Sequence, residues 1–567
     1  MKTGRDNPIM TQTRFSKSAR VAAAGLAVGA MLLTGCAATG NKSGSTDAAA
    51  NASALLTIPR EDMSTFDRNF NPFAPTVNPM VQQAIYEPLL VFNPAKGNTV
   101  PWLGTSWDAA KDGKSVTFTL RDGVKWSDGQ PFTADDVVYT FQLQKKLKGG
   151  FEYLDSVTPV GTNQVTFTFN KPWSPALYEI GQVPILPKHI WSSIADPAKD
   201  ANANPVGTGP YTQVDSFQSQ SFVLKKNPNY WQPDKQKIAG IKMLAMSGND
   251  AANLASVNGD VDWSTQFIPN IEKTFISKDK DHRHFWFPPT GAMINWQLNT
   301  SKAPFDDESV RKALSMAVDR DQVTKIGMSG YAQPADCTGL SGNYAGWKNA
   351  DVANNCTWTK LNVDEANKML DAAGYPKGPD GKRTLKDGKP FEFKISVGAS
   401  SSDWLSVANV ISQNLQAIGV TAKVDSPDWA SVVSSYEQGT FDTGIVWSAN
   451  DPSPFKYFNS IMGTSTVKPV GAKASENYHR FGDPKADGLL QQFSAAGDEA
   501  AQKQTANQLQ AEYDSVAPTV PLFSGPEWGD YTDVHFTGWP NQDNPYATLS
   551  DRSPTTVLVL TTLEPRK

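Results

Sequence analysis

The most informative segment of the sequence reads Gly123-Val124-Lys125-Trp126-Ser127-Asp128-Gly129-Gln130-Pro131-Phe132-Thr133-Ala134-Asp135-Asp136-Val137. Its middle part, Trp126 to Gly129, predicts a tight turn because Ser, Asp and Gly are favoured at turn positions. Thr133 is followed three residues later by Asp136, and this spacing predicts the N-terminal cap of a helix. We therefore expect a turn that leads directly into a helix.

The regions on either side of this segment predict both strands and helices. Residues 115–121 and 164–169 alternate polar and apolar side chains, as half-buried strands do. Beyond residue 390 the pattern predicts two helices that alternate with two strands, at 404–418, 420–424, from 429 and at 441–447. This alternation is typical of parallel strands joined by helices, so the expected fold class is α/β, or mixed α+β.

The N-terminal region has the pattern of an export signal. Three basic residues, Arg14, Lys17 and Arg20, precede the apolar run 21–33, which is shorter than the roughly 20 residues of a membrane span. The following Leu33-Thr34-Gly35-Cys36 resembles the bacterial lipobox, whose cysteine is acylated and becomes the mature N-terminus. We expect a signal peptide at 1–35, a lipid on Cys36 and a flexible tether at 36–53; the alternative is an ordinary signal peptide in which Cys36 is incidental.

Size and charge exclude some classes of protein. The remaining chain is too long for one hydrophobic core and suggests two or three lobes. The net charge is −5, and no basic run is present that would favour nucleic acid. We expect no nucleic-acid partner.

Two cysteines remain once Cys36 is set aside. Cys337 and Cys356 lie 19 residues apart in a segment that is expected to be exported. Disulfides are common in such compartments, so we expect these two cysteines to be bonded. The alternative is a pair of buried free thiols.

Motifs of catalysis and metal binding are missing from the sequence. It contains no Gly-x-Ser-x-Gly, no His-Glu-x-x-His and no phosphate-binding loop, and only five histidines. His282 and His284 flank Arg283, whose cation would repel a metal. We expect no catalytic residues, no metal and no cofactor, and a binding protein rather than an enzyme. The alternatives are a secreted hydrolase and a structural or adhesive surface lipoprotein.

The segment 123–137 resembles the signature of the family-5 extracellular solute-binding proteins, the ligand-binding subunits of ABC importers for peptides, nickel and oligosaccharides. Further motifs fall in the order and spacing of that family: Tyr86-Glu87-Pro88-Leu89, Val206 to Tyr211, Asn227 to Trp231, Pro304 to Asp307, Val310 to Leu314, Ala373 to Tyr375 and Ile418 to Val420. The resemblance covers about residues 54 to 560.

The resemblance implies a two-lobed periplasmic-binding-protein-like fold that closes on its ligand like a hinge, with an extra subdomain in the first lobe. The expected core of lobe I comprises 54–85, 206–295 and 520–567, its inserted subdomain is 86–205, and lobe II is 296–519. We also expect a monomer that the lipid on Cys36 anchors to the outer face of the cell membrane, in the periplasm if an outer membrane exists. Its expected partners are a small-molecule ligand and the permease subunits of an ABC importer.

The resemblance also points to a ligand-binding loop. Peptide-binding members share a Trp-x-x-Asp loop whose carboxylate pairs with the α-amine of the ligand; here Trp447 is followed by Asn450 at the acidic position and by Asp451. The arginine that dipeptide-binding relatives use for the ligand carboxylate is missing from 397–403. We expect Trp447, Asn450 and Asp451 to line the cleft. Peptides are the expected ligands, and oligosaccharides are the alternative because the indole faces of 16 tryptophans suit sugar rings.

Overall fold

A computed structural model describes residue 51, residues 53–74 and residues 76–567. The predicted signal peptide 1–35, Cys36 and nearly all of the tether 36–53 lie outside the described residues. Within the described part of the chain, no helix has both the length and the apolar character needed to cross a membrane.

The described residues form six sheets. The strands of each sheet are named in spatial order, so that neighbours in the list are hydrogen-bonded to each other. The first-lobe sheet contains Leu56–Arg60, Gly240–Ala245, Ser221–Lys226 and Tyr211–Gln218, and the inserted sheet contains Gly104–Ala109, Ser115–Leu120, Gln164–Phe169 and Leu154–Val160. The second-lobe sheet contains Gln333–Pro334, Val520–Ser524, Met293–Leu298, Thr443–Trp447, Glu392–Ser396 and Thr421–Asp425. The three smaller sheets are Trp263–Ser264 with Asp530–Thr532 and Arg283–Phe285, Leu90–Asn93 with Asn98–Pro101, and Phe536–Thr537 with Glu564–Pro565.

Helices cover these sheets. The α-helices are Ala134–Lys148, Ala176–Gly181, Lys188–Trp191, Asn249–Asn258, Ile271–Thr274, Glu308–Met316, Arg320–Gln322, Ala350–Asn355, Val363–Ala372, Ser402–Leu415, Trp429–Gln438, Phe455–Met462, Pro484–Ala495, Glu499–Val516 and Thr556–Leu560. The 3-10 helices are Pro233–Lys235, Ile276–Lys278, Gly342–Trp347, Gln416–Ile418 and Thr464–Thr466, and the π-helical turns are Val81–Ile85 and Val323–Gly327. The mixed α/β class and the two-lobed architecture are confirmed.

The helix predicted after Thr133 begins at Ala134. The carboxylate of Asp136 accepts the backbone N–H of Thr133 at 2.9 Å and that of Lys188 at 2.8 Å. The indole of Trp126 donates to the same carboxylate at 3.4 Å. Asp136 therefore joins the turn, the helix start and a distant loop, and the capping interaction stabilises the helix by about 1 kcal/mol.

Two other sequence motifs meet at one buried carboxyl group. Glu87 accepts the indole N–H of Trp102 at 2.8 Å, the hydroxyl of Tyr230 at 3.1 Å and the indole N–H of Trp231 at 3.1 Å. Burial raises the pKa of Glu87 to about 7. These aromatic residues tie the inserted subdomain to the first lobe, so their role is structural.

The motif from Val206 to Tyr211 contains two glycines that are required by a close approach of two backbone segments. A Cβ at Gly207 would lie 1.9 Å from the carbonyl oxygen of Ile85, and one at Gly209 would lie 2.2 Å from that of Ala84. Neither position can accept a larger residue without moving the π-helical turn.

The α/β unit predicted beyond residue 390 is present in the second lobe. Glu392–Ser396 pairs in parallel with Thr421–Asp425 on one side and with Thr443–Trp447 on the other. Helix Ser402–Leu415 joins the first of these strands to the second, and helix Trp429–Gln438 leads on to the third. The carboxyl ends of three parallel strands therefore meet at one edge of the sheet.

The two lobes are linked by crossing segments of the chain. Met293–Leu298 pairs with both Thr443–Trp447 and Val520–Ser524 inside the second-lobe sheet. Strand Val520–Ser524, next to the boundary predicted between residues 519 and 520, is thus hydrogen-bonded within the second-lobe sheet. The predicted domain boundaries remain proposals.

Candidate functional site

A cavity of about 590 Å³ lies between the two lobes, next to the crossing segments. One side is formed by first-lobe residues that include Arg60 to Asp62 and Arg552. The opposite side is formed by second-lobe residues that include Trp404, Trp429 and Trp447. Clefts between domains are where small ligands bind most often, so this cavity is the candidate site.

Three indole rings form the second-lobe side, and we call Trp404, Trp429 and Trp447 the tryptophan wall. The ring of Trp447 stacks on that of Trp429 with 5.6 Å between centroids and 23° between planes. It also lies 5.6 Å from the ring of Trp404. Trp447 is 51% exposed, an unusual fraction for so large an apolar side chain. The wall therefore offers a flat, accessible apolar surface to a ligand.

The topology of the sheet explains why these tryptophans converge. Trp447 ends strand Thr443–Trp447, Trp404 is in the first turn of helix Ser402–Leu415, and Trp429 begins helix Trp429–Gln438. Both helices follow parallel strands of the same sheet. All three residues are thus at the carboxyl ends of strands, where open α/β sheets hold their ligands. Sequence reasoning singled out Trp447 and missed the other two, although their positions at predicted helix starts were an available signal.

The first-lobe side is charged, and we call Arg60, Glu61, Asp62 and Arg552 the charged wall. The Arg60 guanidinium lies 2.7 Å from the carboxylate of Asp62, and Arg552 pairs with Glu61 and, at 3.4 Å, with Asp62. Burial opposes ionisation of Asp62, but the charges of Arg552 and Arg60 together keep its pKa below the usual value. Each charge of this wall already has a partner within the protein.

Asp403 connects the two sides of the cavity. Its carboxylate accepts the side-chain N–H of Asn249, a first-lobe residue, at 3.2 Å. The backbone N–H of Asn249 donates in turn to the carbonyl of Ser400 at 3.2 Å. Burial raises the pKa of Asp403 to about 6. These bonds hold the start of helix Asn249–Asn258 against the start of helix Ser402–Leu415.

Asn450 lines the cavity, and its amide is already bonded within the protein. Its side-chain N–H donates to the carbonyl of Thr290 at 2.7 Å, and its oxygen accepts the side-chain N–H of Asn343 at 2.9 Å. The hydroxyl of Thr290 donates to Glu527 at 3.1 Å, and burial raises the pKa of Glu527 to about 7. Asn450 is thus bonded to one carbonyl and one N–H group. A peptide group offers the same two partners.

Asp451 lies outside the cavity lining. It is not among the described residues that line the cavity, and its carboxylate lies 3.3 Å from the ammonium of Lys456. Asp451 follows the strand end by four residues, and the loop has turned away from the cavity by that point. Trp447 and Asn450 are therefore brought together at the cavity, and Asp451 is not.

The described residues offer little for a metal. Cys337 and Cys356 are bonded to each other, with 5.5 Å between their Cα atoms. Their sulfur atoms lie within 4.8 Å of an oxygen of Asp514, but sulfurs joined to each other are not free to bind an ion as thiolates. Neither cysteine lines the cavity.

Comparison with known proteins identifies the family. The sequence profile of the bacterial extracellular solute-binding proteins, family 5, middle region, matches residues 98–469. The chain belongs to this family. Its members are solute-binding proteins.

Individual relatives are distant in sequence but cover most of the chain. This solute-binding protein is 25% identical over 475 residues to the periplasmic oligopeptide-binding protein OppA of Escherichia coli, covering 78% of the chain and 82% of that protein. It is 26% identical over 403 residues to the nickel-binding periplasmic protein of Escherichia coli, covering 68% and 74%.

Solved structures agree with the fold of this solute-binding protein. A periplasmic oligopeptide-binding protein of Thermotoga maritima, solved with mannohexaose bound, superposes with a TM-score of 0.83 at 25% identity and covers 90% of this chain and 98% of its own. The oligopeptide-binding protein AppA of Bacillus subtilis, solved with a nonapeptide, gives a TM-score of 0.76 at 21% identity and covers 91% and 99%.

Proposed function

We propose that this protein captures oligopeptides outside the cytoplasm and delivers them to the permease of an ABC importer. The observation that carries the proposal is the cavity of about 590 Å³ between two lobes of a family-5 chain, with the exposed Trp447 on one side. The amide of Asn450 suits a peptide because it already bonds one carbonyl and one N–H group. A peptide group can replace both partners of the Asn450 amide, so that neither atom of this amide is left unpaired. The name of the OppA relative supports the same ligand class.

An oligosaccharide is the second candidate, and the tryptophan wall favours it. Indole faces stack on the apolar faces of sugar rings, and the relative from Thermotoga maritima was solved with mannohexaose. The charges of the charged wall are paired with one another, so the ionic anchors expected for a dipeptide are missing on both sides. Peptides are preferred because long peptides bind through backbone contacts that need no such anchors.

Calorimetric titration of the purified full chain tests the proposal. One set of probes is a series of oligoalanines of two to eight residues, and the other is mannobiose to mannohexaose. We expect one-to-one binding of a peptide and recovery of that peptide chemically unchanged. Binding of the sugars alone would establish the second candidate instead. Recovery of cleaved probe would contradict the binding-protein proposal and favour a secreted hydrolase.

Membrane attachment through Cys36 is part of the proposal. The residues that support it are Leu33-Thr34-Gly35-Cys36 behind a short apolar run. A diacylated cysteine anchors a protein stably, whereas a single acyl chain holds it only marginally. A Cys36→Ala variant should appear in the culture medium or remain unprocessed, as fractionation will show. Membrane association equal to that of the parent would contradict the anchor. We further propose that the protein acts as a monomer and needs no cofactor.

A further inference from the structure

A second cavity, of about 900 Å³, is lined in part by Asn343, whose side chain donates to Asn450 of the first cavity. Its lining includes Phe285, Trp286, Phe287 and Tyr331, all of them partly exposed. No Asp, Glu, Lys, Arg or His is found among the described residues that line it. The second cavity is thus aromatic and uncharged, in contrast to the first.

A third, smaller cavity borders both of them. This space, of about 360 Å³, shares Gly525 and Pro526 with the first cavity. It shares Phe287 and Tyr331 with the second. The three spaces therefore follow one another along the crossing segments of the chain.

A short chain of hydrogen bonds also separates the first and second cavities directly. Asn343 lines the second cavity and donates to Asn450, which lines the first. Asn450 donates to the carbonyl of Thr290, and Thr290 bonds to Glu527. A ligand that carries its own donors and acceptors can bond to these amide and hydroxyl groups in place of their present partners.

We propose that the second cavity is a subsite of the same binding cleft and takes the uncharged far end of a linear ligand. This inference rests on the proposed function and adds the length and polarity of the ligand. A drug-sized molecule fills a pocket of about 300–1,000 Å³, so the combined space fits an oligomer better than a single small molecule. A charged end would be left without a partner among the aromatic rings, whereas flat uncharged units pack against them.

Calorimetry of the full chain with matched probes tests the proposal. The short probe is trialanine amide. The long probes extend it by Phe-Ala-Phe or by Glu-Ala-Glu, each made in both orders, and mannobiose and mannohexaose form the sugar pair. In the class of probe that binds, peptide or sugar, the long neutral probe should bind at least tenfold more tightly than the short one. The acidic extension should not increase affinity over that of the short peptide.

A variant that fills the second cavity sharpens the test. Ala95 lines this cavity from the inserted subdomain, so Ala95→Trp should remove the gain of the long probe and leave the short probe unchanged. Ala109→Trp, at an exposed strand end of the same subdomain, is the matched control and should alter neither. Equal affinities of long and short probes, or equal losses for both in Ala95→Trp, would overturn the subsite. Absence of binding by every peptide and sugar would instead contradict the proposed function itself.

Discussion

The two walls of the first cavity differ in what they leave available to a ligand. The tryptophan wall presents indole rings that contact one another, and Trp447 at its centre is half exposed. The charged wall contains two arginines and two acids whose charges are paired with one another. An ionic ligand that bonds to one of these groups in place of its partner would leave that partner without its counter-charge.

This difference predicts where affinity and selectivity arise. Exposed aromatic surface loses its contact with water when a ligand binds, and this burial contributes favourably to the free energy of binding. Paired charges add little to the binding free energy of an uncharged ligand. They make binding less favourable for a ligand that brings a charge without a partner. We therefore expect the tryptophan wall to supply most of the binding energy and the charged wall to restrict which ligands enter.

The largest expected effect comes from removing the centre of the tryptophan wall. Trp447→Ala should weaken ligand binding by about 2–4 kcal/mol, the loss typical of a central aromatic anchor. Calorimetry with the best ligand of the screen measures it. Trp107→Ala, in the inserted sheet away from the cavity, is the matched control and should bind normally. An unchanged affinity in Trp447→Ala would show that the wall is not part of the site.

The disulfide between Cys337 and Cys356 should stabilise the lobe that holds the tryptophan wall. Closing a loop between Cys337 and Cys356, 19 residues apart, stabilises the folded state by about 3 kcal/mol in the chain-entropy description. A double variant with alanine at both positions should lose about that much in urea unfolding, and its ligand affinity should stay unchanged. Mass spectrometry of a non-reduced digest checks the pairing; two separately alkylated thiols would contradict it.

Asp403, beside the tryptophan wall, should make stability depend on pH. Burial raises its pKa from 3.8 to about 6, so between these values the folded chain keeps a proton that the unfolded chain has released. The free energy of unfolding therefore falls as pH rises through this window, by at most about 3 kcal/mol.

Asp403→Asn keeps a similar shape and an acceptor for Asn249 but cannot ionise. It should be about 1–3 kcal/mol more stable than the parent at pH 7 and equal to it at pH 4. Urea unfolding at the two pH values measures the difference, with the exposed Asp215→Asn as control. A variant that is less stable than the parent at pH 7 would contradict the assigned burial of this charge.

The smallest effect is expected at Asp451. Its carboxylate faces Lys456 and lies outside the cavity lining, so Asp451→Asn should change ligand affinity by less than about 1 kcal/mol. Calorimetry on the same ligand decides it. A loss of about 1.5–3 kcal/mol, as expected of a charge-assisted bond to a ligand, would restore Asp451 to the site.

Local patterns in the sequence predicted much of the second lobe. The strand at 420–424 is found at Thr421–Asp425, and the helix at 404–418 is found as Ser402–Leu415 followed by the turn Gln416–Ile418. The cap at Thr133 was also predictable, because it depends on residues three positions apart. Such features are set by neighbours along the chain.

Features that depend on distant segments could not be predicted in the same way. Asn249 and Asp403 are 154 residues apart in sequence, and neither has a local pattern that points to the other. The position of the Asp451 side chain outside the cavity depends on how the loop turns after strand Thr443–Trp447. The spacing of residues in the sequence does not determine that turn. Trp447 was found because its loop resembles that of the family. Trp404 and Trp429 are at predicted helix starts, but their convergence on Trp447 depends on how the three strands are ordered in the sheet.

Hydrogen–deuterium exchange of the full chain, with and without the ligand from the calorimetric screen, tests most directly whether the ligand lies between the two walls. We predict slower exchange in the ligand-bound state at residues 60–62, 400–404 and 447–450. Exchange in helix Pro484–Ala495, which does not line the cavity, should be unchanged. Protection confined to other segments, with both walls unchanged, would contradict the account.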